Sequence, residues 1–302
     1  MSVGLFVGLV TLDLIYLSAS LPQVNQKQVA LDYSIAAGGP ATNAAIAFRF
    51  LSGSAHPASA NPAEPNIARL MGVIGNHPVG RFVLADLLAQ QIEPIDLQPD
   101  SPEPPPTSSI LVTQATGERA VISINATRIQ ASPEQIPTAV VQAALQGVQV
   151  VLIDGHQMAL GLETARQARA ASIPVVIDAG SWKPGFEAVL RCADAAICSA
   201  NFLPPCCQTQ TEVLDYLQGL QIPRIAITRG EQPILYRDAS RQAELSVPSI
   251  QAVDTLGAGD IFHGAFCYFL LHSGFVEALD QAAQVAALAC QSFGTRAWMQ
   301  TD

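Results

Sequence analysis

The chain has 302 residues, 49% of them hydrophobic, which is ample for a buried core. Lys and Arg number 15 against 25 Asp and Glu, a net charge of -10, and no basic run occurs anywhere. That balance speaks against nucleic acid as a partner. Residues 1–17, MSVGLFVGLVTLDLIYL, are apolar but carry no basic leader and are broken by Gly4, Gly8 and Asp13. They read as a buried first strand over 5–10, and as neither signal peptide nor membrane span.

From there, short β-branched runs alternate with alanine-rich stretches of helical period, the pattern of parallel strands joined by crossover helices. A helix is expected over 41–51, a strand over 70–74 and a helix over 80–91. Helices follow over 136–146, 160–171, 211–218, 260–273 and 275–293, with strands over 150–153, 175–177, 195–198, 224–228 and 234–237. The fold class is α/β: a Rossmann-like, doubly wound, mostly parallel sheet flanked by helices. Two more polar, strand-like segments, about 11–38 and 107–125, fit nowhere in such a sheet. The second has a hairpin turn at 115–118, and the two are expected to pair as a small β-sheet lid on one domain spanning 1–302. Residues 53–66 and 99–106 are too rich in Pro, Ala and Ser for regular structure and read as surface loops. Six cysteines without a CxxC pair or regular spacing read as reduced thiols of a cytoplasmic protein.

Residues 254–260, DTLGAGD, open the apolar helix expected at 260. A P-loop would need a lysine after Gly259, and a dinucleotide turn would need to follow the first strand. The use that remains is an anion hole with its own base. The backbone N–H groups of Leu256, Gly257, Ala258 and Gly259, with the helix dipole behind them, would stabilise charge on a transferred phosphoryl group. Asp260 would take the proton of the attacking hydroxyl. A helix N-terminus holds a carboxylate ionised, so Asp260 is expected to be a ready but weak base. The plainer reading, that Asp254 and Asp260 merely cap a turn, is about equally good for the motif alone. Residues 36–43, AAGGPATN, alter that balance. Gly38 and Gly39 allow close approach of a ligand to the backbone, and Asn43 offers a donor and an acceptor to a sugar hydroxyl.

On these two motifs, with Asp13 after the first strand, the sequence resembles the ribokinase-like carbohydrate kinases, the pfkB family, over nearly its whole length. The resemblance implies transfer of the γ-phosphoryl group of ATP, assisted by Mg2+, to a primary hydroxyl of a sugar. It implies a lid that pairs two copies into a homodimer. Asp260 matches the catalytic base, Gly257, Ala258 and Gly259 the anion hole, and Asp13, Gly39 and Asn43 the sugar binders. Thr228 and Gly230 match the start of the nucleotide segment TxGxxG, and Asn201 the first residue of NxxE. Asp254 and Thr255 match the neighbourhood where many members bind a monovalent cation, K+, through backbone.

The wording is closest to the branch that contains sulfofructose kinase and ketohexokinase-like enzymes. The positions that hold a sulfonate there correspond to Lys27, Asn125 and His156, and a histidine lacks the bidentate grip of the expected arginine. Arg119 and Arg128 are candidates to compensate from the lid. The family pattern is broken twice more: Pro204 stands where NxxE has its Glu, and Pro233 where TxGxxG has its last Gly. These losses keep a non-catalytic regulatory protein on the same scaffold among the alternatives. A nucleoside kinase is another, with Tyr33 and Ile35 as an apolar shelf for a base. A nicotinamide dehydrogenase is disfavoured, because no GxGxxG follows the first strand.

Overall fold

A computed structural model of the chain describes residues 1–51, 66–124, 126, 129–239 and 241–300. The loop expected over 53–66 therefore lies, but for Asn66, outside the described residues, as do Asn125 and Arg128. In chain order the elements begin β1 (Val3–Val7), β2 (Thr11–Ser18), β3 (Asp32–Gly38), α1 (Pro40–Phe50), β4 (Ile67–Gly72), α2 (Pro78–Ala89), β5 (Glu93–Asp96), β6 (Thr107–Thr113) and β7 (Arg119–Ser123). They continue α3 (Thr138–Ala144), β8 (Val150–Ile153), α4 (Met158–Ala170), β9 (Val175–Ala179), α5 (Phe186–Leu190) and β10 (Ala195–Ser199). The last are α6 (Gln210–Gly219), β11 (Arg224–Arg229), β12 (Gln232–Asp238), β13 (Arg241–Leu245), α7 (Ala258–Leu270) and α8 (Phe275–Ala289).

Nine strands form one sheet in the order β13-β12-β11-β10-β9-β8-β1-β4-β5, all running one way except β12, which pairs antiparallel with both β11 and β13. Its central strands are buried on both faces, which explains their continuous apolar wording. Alternate residues feed two separate cores. Phe6, Leu152, Val176 and Ile197 pack under α1, α7 and α8, while Leu5, Val151, Ile177 and Cys198 pack under α3 to α6. The order reverses at β1, whose neighbours are β4 and β8, so the chain leaving β1 and β8 opens a crevice there.

Residues 11–38 and 107–125 do pair, as a four-stranded sheet in the order β3-β2-β6-β7. Register divides its faces: Asp13, Ile15, Ser108, Ile110, Val121 and Ser123 share one, and Leu14, Tyr16, Tyr33, Ile35 and Ile122 the other. Three elements escape the sequence pattern. Strand β5 contains Pro94 and is tolerated only because it lies at the sheet edge. The opposite edge strand, β13, reads RQAEL, and α5 is five residues long. Several boundaries also move: β1 is Val3–Val7 and not 5–10, β4 is Ile67–Gly72 and not 70–74, α2 is Pro78–Ala89 and not 80–91, and α7 is Ala258–Leu270 and not 260–273. Pro137 delays α3 to Thr138, and α8 stops at Ala289, not at 293.

Candidate active site

The chain leaves β1 and enters the crevice at Gly8, where a Cβ would lie 2.0 Å from the Asp154 carboxylate. That carboxylate accepts the N–H of Leu9 at 2.8 Å, of Ala41 at 3.2 Å and of His156 at 2.9 Å. Asp154 thus ties the ends of β1 and β8 to the first turn of α1, and no motif in the sequence announces it. Gly39 caps α1 with φ 98°, where a Cβ would lie 2.4 Å from the carbonyl oxygen of Leu9. A side chain there would push α1 away from the crevice.

Between the two sheets is a cavity of about 140 Å³. Asp13, Gly39, Asn43, His156, Leu256 and Asp260 line it together, as do Thr11, Ser108 and Ser123, which the sequence did not single out. Only their place on the inner face of the small sheet identifies the two serines. Asp13 accepts the Thr11 hydroxyl at 2.7 Å, and burial raises its carboxyl above the ordinary range. His156 is held below its ordinary value, first by burial. Burial therefore favours the neutral ring in the cavity wall.

Asn43, buried in α1, donates its Nδ2 hydrogen to Asp260 Oδ2 at 2.9 Å. Its Oδ1 is buried and meets no partner among the described residues. Asp260 is partly open to the cavity and otherwise enclosed by protein. Its carboxyl is pushed up to about 7, first by burial and next by the nearby charge of Asp178, against the Asn43 hydrogen bond that lowers it. The helix end was expected to leave Asp260 a weak base; desolvation and a like charge outweigh it.

Gly257 caps α7 in the left-handed region, φ 69°. Among the described residues, no acceptor meets the N–H groups of Gly257, Gly259 and Asp260, while that of Ala258 is directed at the Thr255 carbonyl at 3.4 Å. Leu256 departs from expectation, since its N–H is taken by Asp254 Oδ1 at 2.8 Å. The other oxygen of Asp254 accepts the N–H of Gly294, so this buried residue clamps the turn to the loop after α8. A Cβ at Gly259 would meet nothing within 4 Å. The helix end is therefore open, with unpaired donors and a dipole that favour an anion.

Arg119 lies against Thr255, one of the residues expected beside a cation. It donates to both the Thr255 carbonyl at 3.1 Å and the Thr255 hydroxyl at 2.8 Å, and a guanidinium repels any further positive charge placed there. The same Thr255 takes the Gly117 carbonyl through its N–H and hydroxyl, so the β6–β7 hairpin is pinned to the turn.

Other expected residues stand apart. Lys27 is exposed in the loop between β2 and β3 and lines no part of the cavity. Tyr33 and Ile35 lie on the outer face of the small sheet, so they form no shelf beside the cavity. Asn201 is exposed just after β10, Thr228 donates its hydroxyl to the Cys198 carbonyl, and Gly230 turns between β11 and β12 with φ 63°. Because β10 and β11 run parallel with β9, these three gather at the same sheet edge as Asp178.

No helix among the described residues is long and apolar enough to cross a membrane. The chain is similar to ribokinase of Bacillus subtilis, with 23% identity over 98% of this chain and 95% of that one. It is 26% identical to deoxyribokinase of Salmonella typhi, covering 96% and 93%. The structure of Arabidopsis thaliana ribokinase complexed with ribose and ATP superposes with a TM-score of 0.69 at 17% identity, covering 100% of this chain and 99% of that one. The model of the pfkB family carbohydrate kinases matches residues 4–302, so the open helix end and the cavity beside it belong to a member of that family.

Proposed function

We propose that the protein transfers the γ-phosphoryl group of ATP to a primary hydroxyl of a neutral, ribose-like sugar. The observation that carries this reading is the meeting of Asp260, its carboxyl raised to about 7, with three unpaired amides at the end of α7. Asp260 takes the hydroxyl proton as the oxygen attacks, and the amides of Gly257, Gly259 and Asp260 hold charge on the transferring group. Ala258 carries the turn between them. Asp13, Gly39 and Asn43 hold sugar hydroxyls, with Ser108 and Ser123 beside them on the inner face of the lid. Among the described residues no Lys or Arg lines the cavity, which favours a neutral acceptor over a phosphorylated or sulfonated one. Similarity to a ribokinase and a deoxyribokinase favours a pentose.

ATP enters along the sheet edge formed by Asn201, Thr228 and Gly230. Among the described residues no group of three His, Cys, Asp or Glu could hold a metal, and Pro204 stands where the family pattern has Glu. The residues present therefore fit a magnesium ion carried mainly by nucleotide phosphates, with Asn201 the nearest candidate for a water-mediated contact. When bound, it neutralises phosphate oxygens. A monovalent cation such as K+ is left the backbone of Asp254 and the loop after α8, since Arg119 engages Thr255.

ADP release with ATP and magnesium, measured over ribose, deoxyribose, fructose, phosphorylated and sulfonated ketoses and nucleosides, tests the assignment. A neutral pentose is expected to respond and Asp260→Asn to abolish the response. A response confined to nucleosides would replace this reading with the nucleoside-kinase alternative, and ATP binding without turnover would favour a regulatory protein.

Two further expectations follow from the carboxyl at about 7. A base works only ionised, so kcat/KM for the sugar rises with pH up to about 7 and is level above it, roughly tenfold per unit on the rising limb. A flat profile from pH 5.5 to 8, values chosen to bracket about 7, would remove Asp260 from that role. Asn43→Ala removes the hydrogen bond that lowers the Asp260 value. It should move the rising limb to higher pH and raise KM for the sugar; an unchanged KM contradicts its contact with substrate.

The cytoplasm suits a chain whose six cysteines are all unpaired. The outer face of the lid exposes Tyr16, Tyr33, Ile35 and Ile122, which a second copy of the chain would cover. Light scattering that reports a monomer at assay concentration would exclude that homodimer.

A further inference from the structure

His263 stands in the first turns of α7, 4% exposed, and takes no part in the chemistry described above. Its Nδ1 lies 2.6 Å from the Gly259 carbonyl oxygen and its Nε2 3.3 Å from the carbonyl oxygen of Ile197 in β10. Carbonyl oxygens only accept hydrogen bonds, so a ring that satisfies both must carry a hydrogen on each nitrogen. Neutral imidazole has one; imidazolium has two. The counter-charge is in place: Asp178 Oδ2, from the end of β9, is 3.6 Å from Nδ1, and Asp178 is itself buried.

The position of this ring bears directly on the proposed anion hole. The Gly259 carbonyl and the Asp260 N–H belong to one peptide group. A peptide whose carbonyl accepts from a cation becomes a stronger donor through its N–H. That N–H is one of the unpaired amides at the helix end.

We propose that His263 is a positioning residue for phosphoryl transfer: an imidazolium held between two carbonyl oxygens and Asp178, which fixes the first turn of α7 and charges the Asp260 amide. The inference rests on the reading of that turn as the anion hole. Charged and titratable groups face it from each packed element. Asp178 comes from β9, Asp260 and Cys267 from α7 itself, and Cys198 from β10. Behind Asp178 stand Asp154, His156 and Lys183, while α1 contributes the neutral Asn43 to Asp260. Burial raises both thiols, so they stay protonated; it also raises the Asp178 carboxyl, and the charge of His263 opposes that rise, which makes Asp178 the group that pairs with the ring.

The test begins with the unaltered protein, labelled with 15N in its five histidines. At about pH 8 one ring is expected to show two protonated nitrogens, because both carbonyl contacts need a donor, and that signal should vanish in His263→Asn. Five neutral rings at that pH would overturn the proposal without any variant having to fold. His263→Asn also keeps a donor for the Gly259 carbonyl while removing the charge. It should lower kcat roughly tenfold with KM for the sugar unchanged, and shift the rising limb of the pH profile upward, because a cation near Asp260 is gone. Unchanged kcat and an unmoved limb in folded His263→Asn would sink the positioning role even if the ring is charged. Asp178→Asn, which removes the counter-ion, should abolish the doubly protonated signal at the same pH. Failure of the anion-hole reading looks different: Asp260→Asn would keep its activity while the histidine spectrum stayed as expected.

Discussion

Asp260→Asn is expected to lower kcat by roughly 10²- to 10⁴-fold, with ATP and sugar still bound. The same substitution should stabilise the fold above neutral pH. In the folded chain the Asp260 carboxyl is raised from an ordinary value of 3.8 to about 7, so ionising it costs more there than in the unfolded chain. The loss of stability begins as pH rises past 3.8 and is complete above about 7. That rise in pKa sets an upper bound of roughly 4 kcal/mol, and partial exposure of the side chain brings the gain to the order of 1–2 kcal/mol. Asn preserves shape and still offers an oxygen to Asn43 Nδ2. Melting of the two proteins at pH 5 and at pH 8, values on either side of about 7, separates the effects. Asp260→Asn should melt higher at the upper pH, and the difference should shrink at the lower. A variant inactive yet no more stable at the upper pH would mean that the carboxylate is not strained in the free enzyme. Near-normal kcat would leave the phosphoryl acceptor without its base. The expected pair of outcomes is a trade of stability for activity, common where a charge is desolvated for catalysis.

A helix start near Asp260, found at Ala258, and the glycine pair before α1 are legible because each is local. Small residues that end one pattern and open another announce a turn, and the apolar run after 260 announces the helix that follows. The alternation of strands and helices is legible for the same reason, and so are the two segments of the small sheet, whose alternating polarity suits no buried parallel strand. What stays hidden is produced by topology. Asp154 and Asp178 stand at the ends of apolar strands, where a carboxylate reads as the start of a loop. Only strand order brings Asp178 beside a histidine 85 positions later in the chain. The basicity of Asp260 is hidden likewise, since the sequence shows the helix dipole but not the burial that overrides it. Lys27 shows the converse: alignment with a sulfonate-binding position selected it, and the loop leaves it in solvent.

Gly264→Ala should destabilise the protein and should also slow it. Gly264 lies in α7 one turn beyond Asp260, and a Cβ there would come 2.1 Å from the carbonyl oxygen of Ala44 and 2.9 Å from its Cα. Those atoms are backbone of α1, so no side chain can rotate away; the two helices must separate. Overpacking of this kind costs about 3 kcal/mol, and a melting point lower by on the order of 5–10 °C follows for a chain of this size. Ala44 adjoins Asn43, so separation is felt at the 2.9 Å hydrogen bond that joins Asn43 to Asp260. Displacement of a base by about 1 Å can cost roughly 10²-fold in rate. Gly264→Ala is therefore expected to lose kcat at temperatures where circular dichroism still reports a folded chain. Gly219→Ala supplies the control. It lies at the end of α6, where a Cβ meets nothing within 4 Å, and it should gain up to about 1 kcal/mol with kcat unchanged. If Gly264→Ala matched the unaltered protein in melting point and rate, the close crossing of α1 and α7 would not be what sets the distance between Asn43 and Asp260.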